Sequence, residues 1–546
     1  MDEGVWMAHE KTEDANGKPA AKAPQPAPGI SFHAWGMRNE ERNLPPHVLC
    51  PSVAHAGGGG HHGSQYLYTR NEDKQPPGKF APTGKFGRLF GELTPLNASD
   101  DALVALGNAM VDPKPSDPAG DNPDIPAGFT YFGQFVDHDV TFDTTSLQEK
   151  IVDPLSTRNF RTPALDLDCL YGSGRVSQPY LYERQGDHFL IGSTRQGGDP
   201  NVPAGLPNDL PRGPNKFALI GDPRNDENLV VQQLHLAFLK FHNKIVDEIT
   251  AGRIVQESPI RKSVFDEARD LVIWHYQWIV LHDFVGRLCD GKVLQEILDQ
   301  GREFYLWEQQ APEPYMPVEF SVAAYRLGHS MVREVYDYNR VFTPEDGGVA
   351  PAFLSLLFQF TGLSGNGNDV PTPSDWIIDW RRFFDVGGGR KPGLSRRLDP
   401  LLAPTLGNLP NVPPPSSLAV RNLLRGKRVG LPPGQSVARF MGFTPLDPKD
   451  IAKGPDGAVA AQHNLHVESP LWYYILKEAE IRGGGRRLGP VGSRIVGEVF
   501  IGLLAADASS WMARKPGWTP TLPSQKVGDF TMADLLIFVD DINPVG

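Results

Sequence analysis

The segment Phe129-Thr-Tyr131-Phe132-Gly-Gln134-Phe135-Val-Asp137-His138-Asp139-Val-Thr-Phe142 decides the reading of this chain. It sets Asp-His-Asp inside a run of aromatic residues, and burying two carboxylates and an imidazole is costly unless each finds a partner. A solvated turn would avoid that cost. Phe129, Tyr131, Phe132, Phe135 and Phe142 nevertheless crowd both sides, too apolar for an exposed loop. Ionisable groups in such surroundings are expected at a functional site, where burial and neighbouring charge tune them.

The surrounding chain bounds what that site can serve. Of 546 residues, 65 are Asp or Glu and 53 Lys or Arg, for a formal net charge of -12. That balance argues against a broad phosphate-binding surface and excludes nucleic acid as the expected partner. No apolar run approaches the roughly 18–20 residues that span a bilayer. The best candidate, Ile495 to Ala506, is short and carries Glu498. The first residues carry early acids and no apolar core, so no secretory signal is visible; a cytoplasmic location and export by a leaderless route both stay open. Cys50, Cys169 and Cys289 are widely spaced and odd in number, which argues against a disulfide framework or a cysteine-based zinc site.

Residues 1–29 are polar and rich in Ala, Pro and Lys and read as a disordered leader, and 30–85 as an irregular arm. Residues 86–546 are expected to form one large, mainly α body with long irregular connections and little strand. Ser99 caps a first helix running towards Met110. Apolar residues recur at helical spacing from Asn225 to Ile249 and from Ser263 to Leu288, the second more central. Further helices are expected around Glu319–Val335, Ala419–Leu424, Leu471–Ile481 and Val491–Ala506, with a long loop from Gly387 to Pro415.

Some patterns invite a wrong reading. Gly58 to Gly63 fits GxGxxG, but no buried strand precedes it and no helix follows. Gly286 to Val293 nearly matches a P-loop, yet Val293 stands where a magnesium-binding hydroxyl is needed. His55, His61 and His62 read as flexible surface histidines rather than metal ligands. Asp166-Leu-Asp168 opens like an EF-hand, a pattern that Leu170 and Tyr171 break.

Gln134-x-x-Asp137-His138-Asp139 resembles the distal motif of the animal-type haem peroxidases, the peroxidase–cyclooxygenase superfamily, and further elements follow in that family's order. Gly221-Asp-Pro-Arg224-Asn-Asp-Glu227 resembles the distal arginine with a Glu three residues on, a spacing that shares one face of a helix start. Taken alone it would read as an ordinary acidic helix N-terminus. Tyr325-Arg326-Leu-Gly328-His329 resembles the proximal motif, implying that His329 ligates haem iron. The resemblance makes Asn422 the acceptor for the other ring nitrogen, a bond that sets the tautomer. It also places Arg326 and Arg425 at the haem propionates, which fork-shaped guanidinium groups suit well. Asp137 and Glu227 match the carboxylates that form esters to haem b. Thr162, Ala164 (through its carbonyl), Asp166 and Asp168, with Asp139, match a calcium loop, and oxygen-only ligands suit that hard cation.

The resemblance implies an enzyme that reduces hydrogen peroxide and oxidises small donors such as phenols, halides or thiocyanate. His138 is expected to move the proton, Arg224 to stabilise developing charge and Gln134 to order water or a halide. Two departures stand out: Asn228 replaces the methionine that forms a sulfonium link in myeloperoxidase, and the cysteine-rich pattern of secreted mammalian members is absent. Two alternatives are carried. A fatty-acid dioxygenase of the same superfamily would have a radical-forming tyrosine three residues before the proximal histidine. Arg326 stands there, and Tyr325 is turned away by about 100° on a helix. The other is an adhesive or structural protein on a peroxidase-like body. Oligomeric state stays open.

Overall fold

Ser99 accepts from the Ala102 amide and two acids fill the next turn, so Asp100–Ala109 (α1) starts where the sequence places it. The computed structural model describes residues 84–143, 159–184, 186–256, 262–310, 314–345, 347–365, 369–410 and 412–546. The leader, most of the arm, Cys50, the Gly58–Gly63 pattern and His55, His61 and His62 lie outside them.

The segment from Phe129 proves to be helical. Gly128–Val140 (α2) is buried on nearly every side, as a helix at the centre of a large protein must be. Phe135 stacks on Phe238 at 4.8 Å, and Phe132 meets Phe284 edge-on at 5.5 Å. Phe238 belongs to Leu229–Thr250 (α3), which begins when the Asn228 side chain accepts from the Val231 amide.

A capping box of Ser263 and Asp266 starts Val264–Trp278 (α4). The rod expected up to Leu288 is continuous but not uniform: Ile279–Val285 is a π-helix before Gly286–Leu288 resumes. Wide turns of this kind cluster at functional sites, and this one carries Phe284 against α2. Gly291–Gln300 (α5) follows, a helix absent from the sequence reading.

The helix expected around Glu319–Val335 does not form. A short turn, Val318–Ser321, gives way at Ala323 to a 3-10 helix, Ala324–His329. Carbonyls near its start and middle are drawn to side chains: Ser321 O accepts from Arg326 Nε (3.2 Å) and Arg326 O from Trp472 Nε1 (3.2 Å). Leu418–Arg428 (α6), Leu471–Gly483 (α7) and Pro490–Ala506 (α8) lie where expected, and Met532–Val539 (α9) ends the chain's helices. The irregular stretch from Gly387 to Pro415 holds a short strand, Leu394–Arg396, paired antiparallel with Asp121–Pro126. Among the described residues strand occurs only in two-stranded pairs, and one contiguous apolar cluster joins the helices. No described helix is long and apolar enough to cross a membrane, and Cys169 and Cys289 are buried free thiols.

Candidate active site

On α2, Thr130, Tyr131, Gly133, Gln134 and Asp137 fall at helical spacing and form one wall of a cavity. Tyr325, Arg326, Leu327, Gly328 and His329 of the 3-10 helix form the opposite wall. Phe284 of the π segment, Leu354, Phe358, Leu406 and Leu418 close it with apolar surface. The unfilled space, including its open mouth, is about 770 Å³. A Cβ built on Gly328 would meet no atom within 4 Å, so bare backbone leaves room beside His329.

The polar groups of the α2 wall are tied together. Gln134 donates through Nε2 to Glu227 and accepts through Oε1 from Asn228 Nδ2 at 2.9 Å. Burial pushes the Glu227 carboxyl well above the usual range, against the pull of Arg224. Burial also raises Asp137, against the pull of Arg224 and a bond from the Thr141 hydroxyl at 2.9 Å. His138 and Glu227 lie behind Gln134 rather than on the cavity wall, with His138 Nε2 3.6 Å from Glu227 Oε1. His138 Nδ1 lies 2.8 Å from Asn225 Oδ1.

Arg224 departs from the expected placement. It and Glu227 occupy a 3-10 turn, Pro223–Asp226 and its cap, and point to different partners. Arg224 is not among the residues lining the cavity. Asp222 holds it through Nε (3.1 Å) and Nη2 (2.7 Å), and Nη2 also donates to the carbonyls of His138 (3.1 Å) and Thr141 (2.7 Å). The guanidinium thereby caps the end of α2, where cations are favoured. Burial opposes ionisation of Asp222, but Arg161 and Arg224 outweigh it and hold the carboxyl far below its usual range. Arg224 Nη1 is buried and makes no hydrogen bond within the described residues.

The His329 wall differs in one contact. Asn422 reaches His329 Nδ1 at 2.7 Å, but through its amide nitrogen, because Arg326 takes the carbonyl oxygen. Burial pushes Arg326 down to about 10, although Asp137 opposes this. Arg425 is not at the cavity; it is paired with Asp143, just beyond α2. Tyr325, expected to be turned away, borders the cavity together with Arg326. Its hydroxyl donates to Gly133 O at 3.1 Å.

Behind α2, carboxylate oxygens of Asp139, Asp166 and Asp168 lie within 4.8 Å of one another. Thr162 donates to Asp166 Oδ2 at 2.9 Å, and Ala164 lies between them on the same loop. Burial raises all three groups, Asp166 to about 7; neighbouring carboxylates add to the rise at Asp139 and Asp166, while Arg161 opposes it at Asp168. A buried Asp139 with half-buried Asp166 and Asp168, and Arg161 as the near cation 3.3 Å from Asp168, suits a divalent cation. Asp139 is also bonded by Tyr276 Oη (3.0 Å) and the Leu167 amide (3.2 Å), so the cluster joins α2 to the loop.

The residues fit haem. One imidazole on one wall, carboxyl and amide groups on the other, apolar sides and an arginine at the edge form a slot for a flat, largely apolar group with acidic substituents. The sequence reading missed Asn225 and the Asn228 contact to Gln134; asparagines between charged residues at a helix start look like ordinary caps.

Residues 147–350 match the animal haem peroxidase family. That span includes Thr162 to Asp168, Arg224 and His329 but not Gln134 to Asp139 or Asn422. A "Peroxidase-like protein" of Margaritifera margaritifera is 27% identical over 438 residues, 68% of this chain and 53% of that protein. A "Peroxidasin homolog" of Mus musculus is 24% identical over 298 residues, 53% of this chain and 19% of its own. The chain thus spans about half of the first and a fifth of the second. Among solved structures, peroxidase A from Dictyostelium discoideum shares the fold with a TM-score of 0.58 at 16% identity, covering 84% of this chain and 94% of that one. Oryza sativa fatty acid alpha-dioxygenase does so at 0.53 and 13%, covering 85% and 80%.

Proposed function

Because this chain belongs to the animal-type haem peroxidases of the peroxidase–cyclooxygenase superfamily, we propose that it reduces hydrogen peroxide and oxidises small donors, phenols, halides or thiocyanate. The observation that carries the reading is a single cavity with His329 on one wall and Gln134, Asp137 and, one layer back, His138 on the other.

His329 would hold the iron of haem b, Arg326 a propionate, and Asp137 and Glu227 would form esters to the ring. The bound group would supply an iron centre that passes electrons from the donor to peroxide. A His329 that held iron through one ring nitrogen would carry its proton on the other, Nδ1; Asn422 would then have to present its oxygen, which would release Arg326 for a carboxylate. His138 Nε2 takes a proton from one peroxide oxygen and returns it to the other. Arg224, paired with Asp222, adds its charge from behind the wall through the end of α2 that carries His138, and Gln134, held at both ends, orders water or a halide. The Asp139–Asp166–Asp168 cluster, holding calcium, keeps α2 and hence His138 in register.

A dioxygenase reading draws on Tyr325 at the cavity wall, but Arg326 occupies the position three before His329. Haem-loaded protein should oxidise phenols or iodide only with peroxide. His138→Ala should keep its Soret band and lose at least about a hundredfold in peroxide reactivity, while His329→Ala should lose or loosen haem. Oxygen uptake on a fatty acid without peroxide turnover, or full activity in both variants, would overturn the proposal.

A further inference from the structure

Asn225 sits between two imidazoles and uses both ends of its amide. Oδ1 lies 2.8 Å from His138 Nδ1, and Nδ2 lies 2.9 Å from His235 Nδ1. The three residues come from α2, the 3-10 turn and α3, and each is fully buried. An amide has one donating and one accepting end, so it cannot present the same end to both rings. The tautomers of the two histidines are therefore linked: if one ring donates at Nδ1, the other must accept there. None of the three side chains is exposed to bulk solvent. Burial holds His235 neutral, at about 3, and only a neutral ring can offer Nδ1 as an acceptor.

We propose that His235 is a positioning residue for His138: by accepting from Asn225 Nδ2 it turns Oδ1 to His138, keeps that ring's proton on Nδ1 and leaves Nε2 as the proton acceptor. The reverse arrangement would put the proton on His138 Nε2 and make it a donor, unable to take a proton from peroxide. The inference rests on the peroxidase reading, which requires Nε2 to be unprotonated.

Two substitutions separate this role from simple packing. His235→Leu removes the acceptor and lets the amide turn. Asn225→Asp supplies a carboxylate that accepts from His138 Nδ1 whatever occupies position 235. The readouts are cyanide affinity, followed by the Soret shift of the haem-loaded protein, and the stopped-flow rate with peroxide; hydrogen cyanide, like peroxide, gives up a proton as it binds. His235→Leu should weaken cyanide binding and slow the peroxide reaction by about tenfold or more, a fraction of the roughly 10²–10⁴-fold a positioned base contributes. Its resting Soret position should not move. Asn225→Asp combined with His235→Leu should recover most of the loss, which a packing role would not allow. If His235→Leu takes up no haem, Asn225→Leu against Asn225→Asp provides the same contrast. Wild-type affinity and rate in His235→Leu, or no recovery in the double variant, would overturn the inference. Wild-type protein that binds haem but ignores peroxide would instead overturn the peroxidase reading.

Discussion

Asn228 shows how one residue can change a site without joining its chemistry. It caps α3 through Oδ1 and holds Gln134 through Nδ2. Asn228→Leu should lose about 1 kcal/mol of stability with the cap and also release Gln134. Asn228→Asp keeps an accepting cap at a helix N-terminus, where an anion is favoured, but lacks the donor to Gln134. It should therefore melt close to wild type while its cyanide affinity falls; equal affinities in all three proteins would remove Gln134 orientation from the site. Position 228 also carries no thioether, so no sulfonium link can form. Without that electron-withdrawing cation, bromide, iodide or thiocyanate oxidation should exceed chloride oxidation. After turnover with peroxide, haem should resist acidic organic extraction, and Asp137→Ala with Glu227→Ala should release it. Mass spectrometry showing only unmodified haem b in turned-over protein would rule out the esters.

At the scale of elements, buried carboxyl groups join helices to loops and to one another. Glu478 of α7 is fully buried, accepts from the Val491 amide at 2.9 Å at the start of α8, and is pushed by burial to about 7. A folded-state value above the unfolded 4.5 means the folded protein holds this proton more tightly. Its stabilisation is complete below about pH 4.5 and is lost as pH rises through about 7. Glu478→Gln keeps an acceptor without that proton, so its stability relative to wild type should improve between pH 5 and 8 by up to about 3 kcal/mol. Parallel stability–pH curves for the two proteins would show that Glu478 does not titrate as inferred. The Asp139–Asp166–Asp168 cluster makes a similar joint between α2 and its neighbouring loop. Removing calcium with a chelator should lower the melting temperature and slow peroxide turnover, and Asp166→Ala should abolish the calcium response. Metal analysis finding no calcium in pure, active protein would defeat that assignment.

At the scale of the whole molecule, the cavity collects residues from Phe129 to Leu418, so a group bound there binds only the folded chain. Haem at a hundredfold excess over its dissociation constant should add about 2.7 kcal/mol of stability, and His329→Ala should forfeit most of it; equal haem-induced shifts would place haem elsewhere. Much of this architecture was legible in the sequence. Helices α1, α3, α4 and α6 to α8 announce themselves by apolar period, some with a capping side chain as well, because such local pattern suffices to specify them. The site's ingredients were legible too, since Asp-His-Asp among aromatics cannot be buried without partners. Long-range competition for hydrogen bonds was not legible. The 3-10 turn bearing His329 depends on Trp472, far along the chain, taking the Arg326 carbonyl. Arg224 is drawn to Asp222 and the end of α2, Arg425 to Asp143, and the Asn422 oxygen to Arg326. Sequence by itself determined the helical body and the candidate residues gathered in it, because those follow from local pattern and composition. Only the tertiary structure decided which partner each buried polar group faces, because away from bulk solvent that choice depends on every donor and acceptor within reach.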